Sequence, residues 1–163
     1  MRNVKIAAIQ MQCSTNLQTN LEKAEKMVRQ AAGDGAQIIL LPELFENWYF
    51  GQEKSYENYH LATTLEENPA VREMQTIARD FKVVIPVSYY ERVGETTFNT
   101  VAVIDADGTL MGQYRKTHIP DDHFYQAKFY FTPGHPGFQV SDTAYAIICV
   151  SICLDPRIPE PAT

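Results

Sequence analysis

Residues 4–41 carry an apolar segment, an amphipathic helix and a second apolar segment in immediate succession, and that order restricts the chain to a parallel βαβ unit. Residues 4–12 (VKIAAIQMQ) are short apolar and β-branched types that stop at Ser14-Thr15-Asn16, the pattern of a buried strand running into a helix start. Leu17, Leu21, Ala24, Val28 and Ala31 then recur at helical spacing, which predicts an amphipathic helix. Gly33-Asp34-Gly35 ends it, and Gln37-Ile38-Ile39-Leu40-Leu41 supplies a second strand closed by Pro42.

The segment from Phe45 to Glu67 is polar and aromatic without a period and reads as loop with a turn of helix. Asn68-Pro69 is a helix start, Asn as cap and Pro at the first position, with Val71, Met74, Ile77, Ala78 and Phe81 as the apolar stripe. Strands are predicted over 83–91, 96–104 and 109–116, joined by turns at Val93-Gly94-Glu95 and Asp105-Ala106-Asp107-Gly108, so the middle third is a meander. Residues 117–137 form a long loop without period, rich in His, Asp, Pro, Gly and aromatics, which points to function. Two more strands are expected, Phe138 to Val140 and Tyr145 to Leu154, the second so apolar that it reads as central. Pro156, Pro159 and Pro161 argue against a helix after it.

With 163 residues the chain is one domain or part of one, and at 45% hydrophobic and 21% charged it has globular composition. The net charge of −6, without a Lys/Arg cluster, argues against nucleic acid as partner. The most apolar run, Tyr145 to Leu154, is far shorter than the roughly 20 residues of a membrane-spanning helix, so no membrane partner is expected. Three cysteines, at 13, 149 and 153, make no paired framework, which suggests a reducing cytoplasm and raises the question of a chemical thiol.

Three residues at strand ends are candidates for chemistry. Glu43 directly follows the second strand, at the carboxyl end where ligands of α/β sheets bind; its plain alternative is a solvated loop acid. Lys116 ends the meander and opens the long loop; its alternative is a surface lysine on a strand edge. Cys153 stands where strand gives way to loop, whereas Cys149, four residues earlier and on the same face of a strand, lies inside the apolar run. Structural burial is the ordinary fate of a cysteine. A Cys nucleophile needs a base for its proton and a cation or donors for the oxyanion, and Glu with Lys supplies both. His118, His123, His135 and Cys149 fit no zinc spacing, so no metal is expected.

Four blocks, Lys5-Ile-Ala-Ala-Ile-Gln10, Gly35-Ala-Gln-Ile-Ile-Leu-Leu-Pro-Glu43-Leu-Phe, Gly112-Gln-Tyr-Arg-Lys116-Thr-His-Ile-Pro and Ile152-Cys153-Leu-Asp155, resemble in order the signatures of carbon–nitrogen hydrolases of the nitrilase superfamily. The stretch from Tyr114 to Gly134 is most similar to the N-carbamoylputrescine amidases of that superfamily. The resemblance implies an α/β (α+β) fold, a four-layer α-β-β-α sandwich, and residues 1–163 as part of that domain, truncated after the nucleophile strand. It also implies hydrolysis of a small-molecule carbamoyl amide or related amide or nitrile without cofactor, and a homo-oligomer. Carried onto this sequence, the catalytic residues are Glu43 as general base, Lys116 beside the oxyanion and Cys153 as nucleophile.

The sequence departs from the family pattern in places. Ala127 stands where a second, supporting glutamate is usual, and Leu154 where Trp usually follows the nucleophile. Pro156-Arg157-Ile158-Pro159-Glu160 replaces the usual Gln-Trp-Phe-Pro-Glu run, and Ala146-Ile-Ile-Cys-Val-Ser151 carries bulk where glycines are usual. An uncovered half of such a sandwich is expected to expose apolar sheet face.

Overall fold

The computed structural model describes residues 3–135, 137 and 139–157; Phe138, Pro159 and Pro161 lie outside them. Strand β1 (Ile6–Ala8), helix α1 (Leu17–Gly33) and strand β2 (Ile38–Leu40) form the expected unit, with β1 and β2 parallel and in register Ile6 to Ile38. Asn16 caps α1 by accepting from the Thr19 backbone N–H at 2.9 Å. Helix α2 (Pro69–Phe81) begins the same way, with Asn68 accepting from Val71 at 2.8 Å, and ends at Lys82 in the left-handed region.

Strands β3 (Ile85–Val93), β4 (Thr96–Ile104) and β5 (Leu110–Arg115) make the antiparallel meander. Gly94, at φ +59°, occupies the first loop position of the β3–β4 hairpin, where an L side chain would be strained. A parallel bridge between Ile38 and Val84 joins β2 to the start of β3, so β1-β2-β3-β4-β5 is one continuous layer.

Side-chain alternation gives this layer two unlike faces. Ile39, Ile85, Val87, Tyr89, Ala102 and Ile104 point to one side and pack against Leu21, Ala24 and Val28 of α1 and Val71, Met74 and Ile77 of α2, forming the main core. On the other side lie Ile38, Val84, Val101 and Tyr114, met by Ile148, Val150 and Ile152 from the last part of the chain. Helices, sheet and second strand layer therefore stack in the order of the expected sandwich.

That second layer corrects one expectation. The apolar run 145–154 is not a long central strand: β7 spans only Ile147–Cys149 and pairs with β6 (Val140–Asp142) in a small antiparallel hairpin. Hairpin pairing on one edge orders three residues. Ile148 packs inward while Ile147 points outward at 70% exposure. On the sheet's inner face Leu40 and Ile6 are likewise exposed, so this face is covered at the β3–β5 end and open at the β1–β2 end. No described helix is long and apolar enough to cross a membrane.

The loop over 45–67 contains two 3-10 turns, Phe50–Gln52 and Tyr56–Leu61, and the loop over 117–137 contains a short helix, α3 (Ala127–Tyr130). The two loops hold each other through aromatic rings: Phe50 lies 5.0 Å from both Tyr90 and Tyr130, with Phe131, Leu44 and Ala127 buried beside them. A residue larger than alanine at 127 would enter this cluster. For the main core, Met74→Ala is expected to cost roughly 2–5 kcal/mol through lost burial and the cavity left behind, read as a lower urea midpoint.

Candidate active site

The carboxyl end of β2 runs directly into a left-handed turn at Leu44, at φ +54°. For a leucine this is strained backbone, and it is held from both sides. The Leu44 N–H donates to the Ser88 hydroxyl at 3.0 Å, and the side chain is buried among the aromatic rings. The turn places Glu43 on the second face of the sheet. Alternation places Ser88 of β3, Asn99 and Val101 of β4 and Tyr114 of β5 on that same face, and Lys116, just past β5, shares it.

Lys116 is held by its backbone before its side chain is considered. Its N–H donates to the Asn99 carbonyl at 2.8 Å, and its carbonyl accepts from the Gly134 N–H at 2.9 Å. Only glycine permits the second contact, since a Cβ on residue 134 would lie 2.3 Å from the Arg115 carbonyl oxygen. The Lys116 side chain is 4% exposed, and its ammonium reaches Glu43 Oε1 at 2.9 Å. Asn99 Nδ2 donates to the same oxygen at 2.6 Å. Two donors on Oε1 fix the carboxylate, while Oε2 is left to meet a substrate or a neighbouring group.

Cys153 sits in a turn after β7, not on the strand, and its φ of +50° again places a non-glycine residue in the left-handed region. The thiol is exposed and lines one cavity of about 180 Å³ together with Glu43, Leu41, Ser88, Val101 and Ile152. Cys149 ends β7, away from this cavity, and Cys13 packs against the main core. Burial pushes the Cys13 thiol up, so it stays protonated. The three residues singled out in the sequence therefore converge: Glu43 and Lys116 in direct contact, Cys153 across the cavity from Glu43.

Sequence reading missed three neighbours. Asn99 is one, although a polar residue alternating with Val101 and Val103 on an apolar strand face is a usable signal. Tyr49 is the second. Burial pushes its phenol well up, and the Glu43 carboxylate adds to the rise, so the hydroxyl keeps its proton. The third, Glu46, has no signal at all in sequence. It is buried, accepts from Asn68 Nδ2 at 2.9 Å and ties the Glu43 loop to the start of α2. Its carbonyl accepts from Asn20 of α1 at 2.9 Å. The histidines of the long loop do not gather: among the described residues no group of three or more His, Cys, Asp or Glu is placed to hold a metal ion.

A left-handed cysteine turn and a glutamate–lysine pair thus meet at the space between two strand layers. Residues 5–163 match the carbon-nitrogen hydrolase family, and the chain belongs to it. N-carbamoylputrescine amidase of Solanum tuberosum is 48% identical over 99% of this chain and 54% of its own length. Citrullinase of Francisella tularensis is 45% identical over 99% of this chain and 57% of its own. The chain thus spans about half the length of the curated relatives it matches. A carbon-nitrogen hydrolase from Helicobacter pylori G27 superposes with a TM-score of 0.91 at 30% identity, over 98% of this chain and 55% of that one. An amidase from Nesterenkonia sp. shares the fold at a TM-score of 0.82 and 23% identity.

Burial pushes the Glu46 carboxyl up to about 7. The folded state therefore holds its proton more tightly than the unfolded chain, in which the group titrates near an ordinary carboxyl value. Stability is expected to fall as pH rises from about 4.5 to about 7, by roughly 3 kcal/mol for the shift in full. In Glu46→Gln, which keeps an acceptor for Asn68, that slope is expected to vanish from urea unfolding measured across this range.

Proposed function

We propose that this chain carries the catalytic residues of an amidase that hydrolyses a carbamoyl amide, N-carbamoylputrescine being the substrate best supported, to putrescine, carbon dioxide and ammonia. The observation that carries the reading is the Glu43–Lys116 pair at 2.9 Å facing Cys153 across one cavity. Glu43 takes the thiol proton through its unpaired Oε2, and the sulfur attacks the carbamoyl carbon. Lys116 offsets the charge developing on the carbonyl oxygen. The proton passes to the departing nitrogen, ammonia leaves, and an S-carbamoyl thioester remains. Glu43 then takes a proton from water, which attacks that thioester and returns the thiol, and the released carbamate breaks down to amine and carbon dioxide.

The substrate follows from the similarity to N-carbamoylputrescine amidases and from the charge around Tyr49. Tyr49 packs edge-on to Tyr125 at 5.8 Å and feels the negative charge of Asp122, which suits a cationic tail. Citrulline offers the same carbamoyl group but brings an α-carboxylate. A homo-oligomer is proposed from the family resemblance, and a second copy is one way to cover the exposed apolar Ile6 and Leu40. The cytoplasm is the compartment that suits three unpaired cysteines.

The test is ammonia and putrescine release from N-carbamoylputrescine, with light scattering on the same sample to establish folding and association. Release is expected, faster than ammonia release from L-citrulline or from an aliphatic nitrile, and abolished in Cys153→Ser. A folded, unaggregated sample without turnover overturns the reading and leaves a relative that keeps the triad without its chemistry.

A further inference from the structure

Asp155 has no part in the steps above, yet its side chain is fully buried and accepts four hydrogen bonds. Oδ2 takes the Tyr114 hydroxyl at 2.8 Å and the Ile152 N–H at 3.1 Å. Oδ1 takes the His118 N–H at 2.9 Å and, also at 2.9 Å, His118 Nδ1, which therefore carries a hydrogen. These partners are not scattered. Tyr114 and His118 lie two residues either side of Lys116; Ile152 immediately precedes Cys153, and Asp155 follows it by two. One carboxylate thus clamps the turn that carries the thiol onto the segment that carries the ammonium.

The clamp explains how Cys153 stays at φ +50° in an exposed turn with so few other attachments. From Cys153 to Arg157 the chain forms a turn and a 3-10 turn (Asp155–Arg157), and among the described residues these pair with no strand. We infer that Asp155 is a positioning residue, which holds the Ile152–Cys153 turn against Tyr114–His118 so that the sulfur stays within reach of Glu43. The inference rests on the proposed roles of Glu43 and Cys153. In Asp155→Asn the amide N–H faces a backbone N–H on whichever side it takes, so at least one backbone hydrogen bond, from Ile152 or from His118, is lost and the turn is loosened.

The test reads the thiol itself and needs no turnover. Iodoacetamide alkylation of Cys153 is followed by mass spectrometry from pH 5 to 9 in a Cys149→Ser background. The other ionisable groups around the turn are Glu43, Lys116, Tyr49, Tyr114 and His118, and Glu43→Gln supplies the profile of a thiol without its base. The parent is expected to react faster than Glu43→Gln below pH 8. Asp155→Asn is expected to match Glu43→Gln, a loss of about tenfold or more at pH 6.5. Tyr114→Phe, which removes the hydroxyl's bonds to Asp155 and Thr117 and leaves the carboxylate, is expected to fall between them. Urea unfolding establishes that each variant is folded, and should Asp155→Asn fail to fold, Tyr114→Phe decides. Parent-like profiles in the folded variants overturn the positioning role while the triad reading stands. A parent profile already equal to that of Glu43→Gln overturns the triad reading and the positioning role with it.

Discussion

Side chains along β3, β4 and β5 alternate between two faces, and nearly everything else in the molecule depends on how those faces are used. One face is apolar over Ile85 to Tyr89 and Ala102 to Ile104, where α1 and α2 close it, and ends in the buried Glu91 paired with Arg115 beside Thr100. The other face is mixed: Ser88, Asn99 and Tyr114 interrupt the apolar residues, and Glu43 and Lys116 join them at the ends of β2 and β5. A sheet anchored on one side can place polar groups on the other without losing its core. Glu43, Lys116 and Cys153 therefore sit just past strand ends, beside polar side chains that the strands hold in place.

Among the described residues three non-glycine residues adopt the left-handed region, and two of them stand at the cavity, Cys153 lining it and Leu44 following Glu43, which lines it. Each turn is tied to another segment by a buried polar contact, Leu44 to Ser88 and the Cys153 turn, through Asp155, to Tyr114 and His118. This pairing of strain with a distant restraint lets two short turns, on opposite layers of the sandwich, present a carboxylate and a thiol to the same space. Lys116 is different. Its position follows from regular strand hydrogen bonding and from a glycine that lets the returning loop come close.

Electrostatically the site is economical. Lys116 and Asn99 both donate to a single oxygen of Glu43, and the second acidic group of the same loop, Glu46, is sealed away at the start of α2, where burial favours its neutral form. The loop thus carries one carboxyl that faces the cavity and one that attaches it to α2, three residues apart.

The sequence alone determined the elements with strong periodicity: α1 and α2 with their asparagine caps, the parallel β1–β2 pair and the meander, since patterns of 3.6 and 2 residues dictate which residues can be buried together. It also marked Glu43, Lys116 and Cys153, because strand ends and family motifs are local features of the chain. What it misjudged was the run 145–154, where apolar composition suggested a central strand. Strand length depends on hydrogen-bonding partners, and here only β6 provides them. The contact of Glu43 with Lys116, the buried Glu46 and the four hydrogen bonds on Asp155 were decided by tertiary structure alone. Each joins residues from 22 to 73 positions apart in the chain, apart from the short Ile152–Asp155 link, and no local pattern encodes which distant donor meets a given carboxylate.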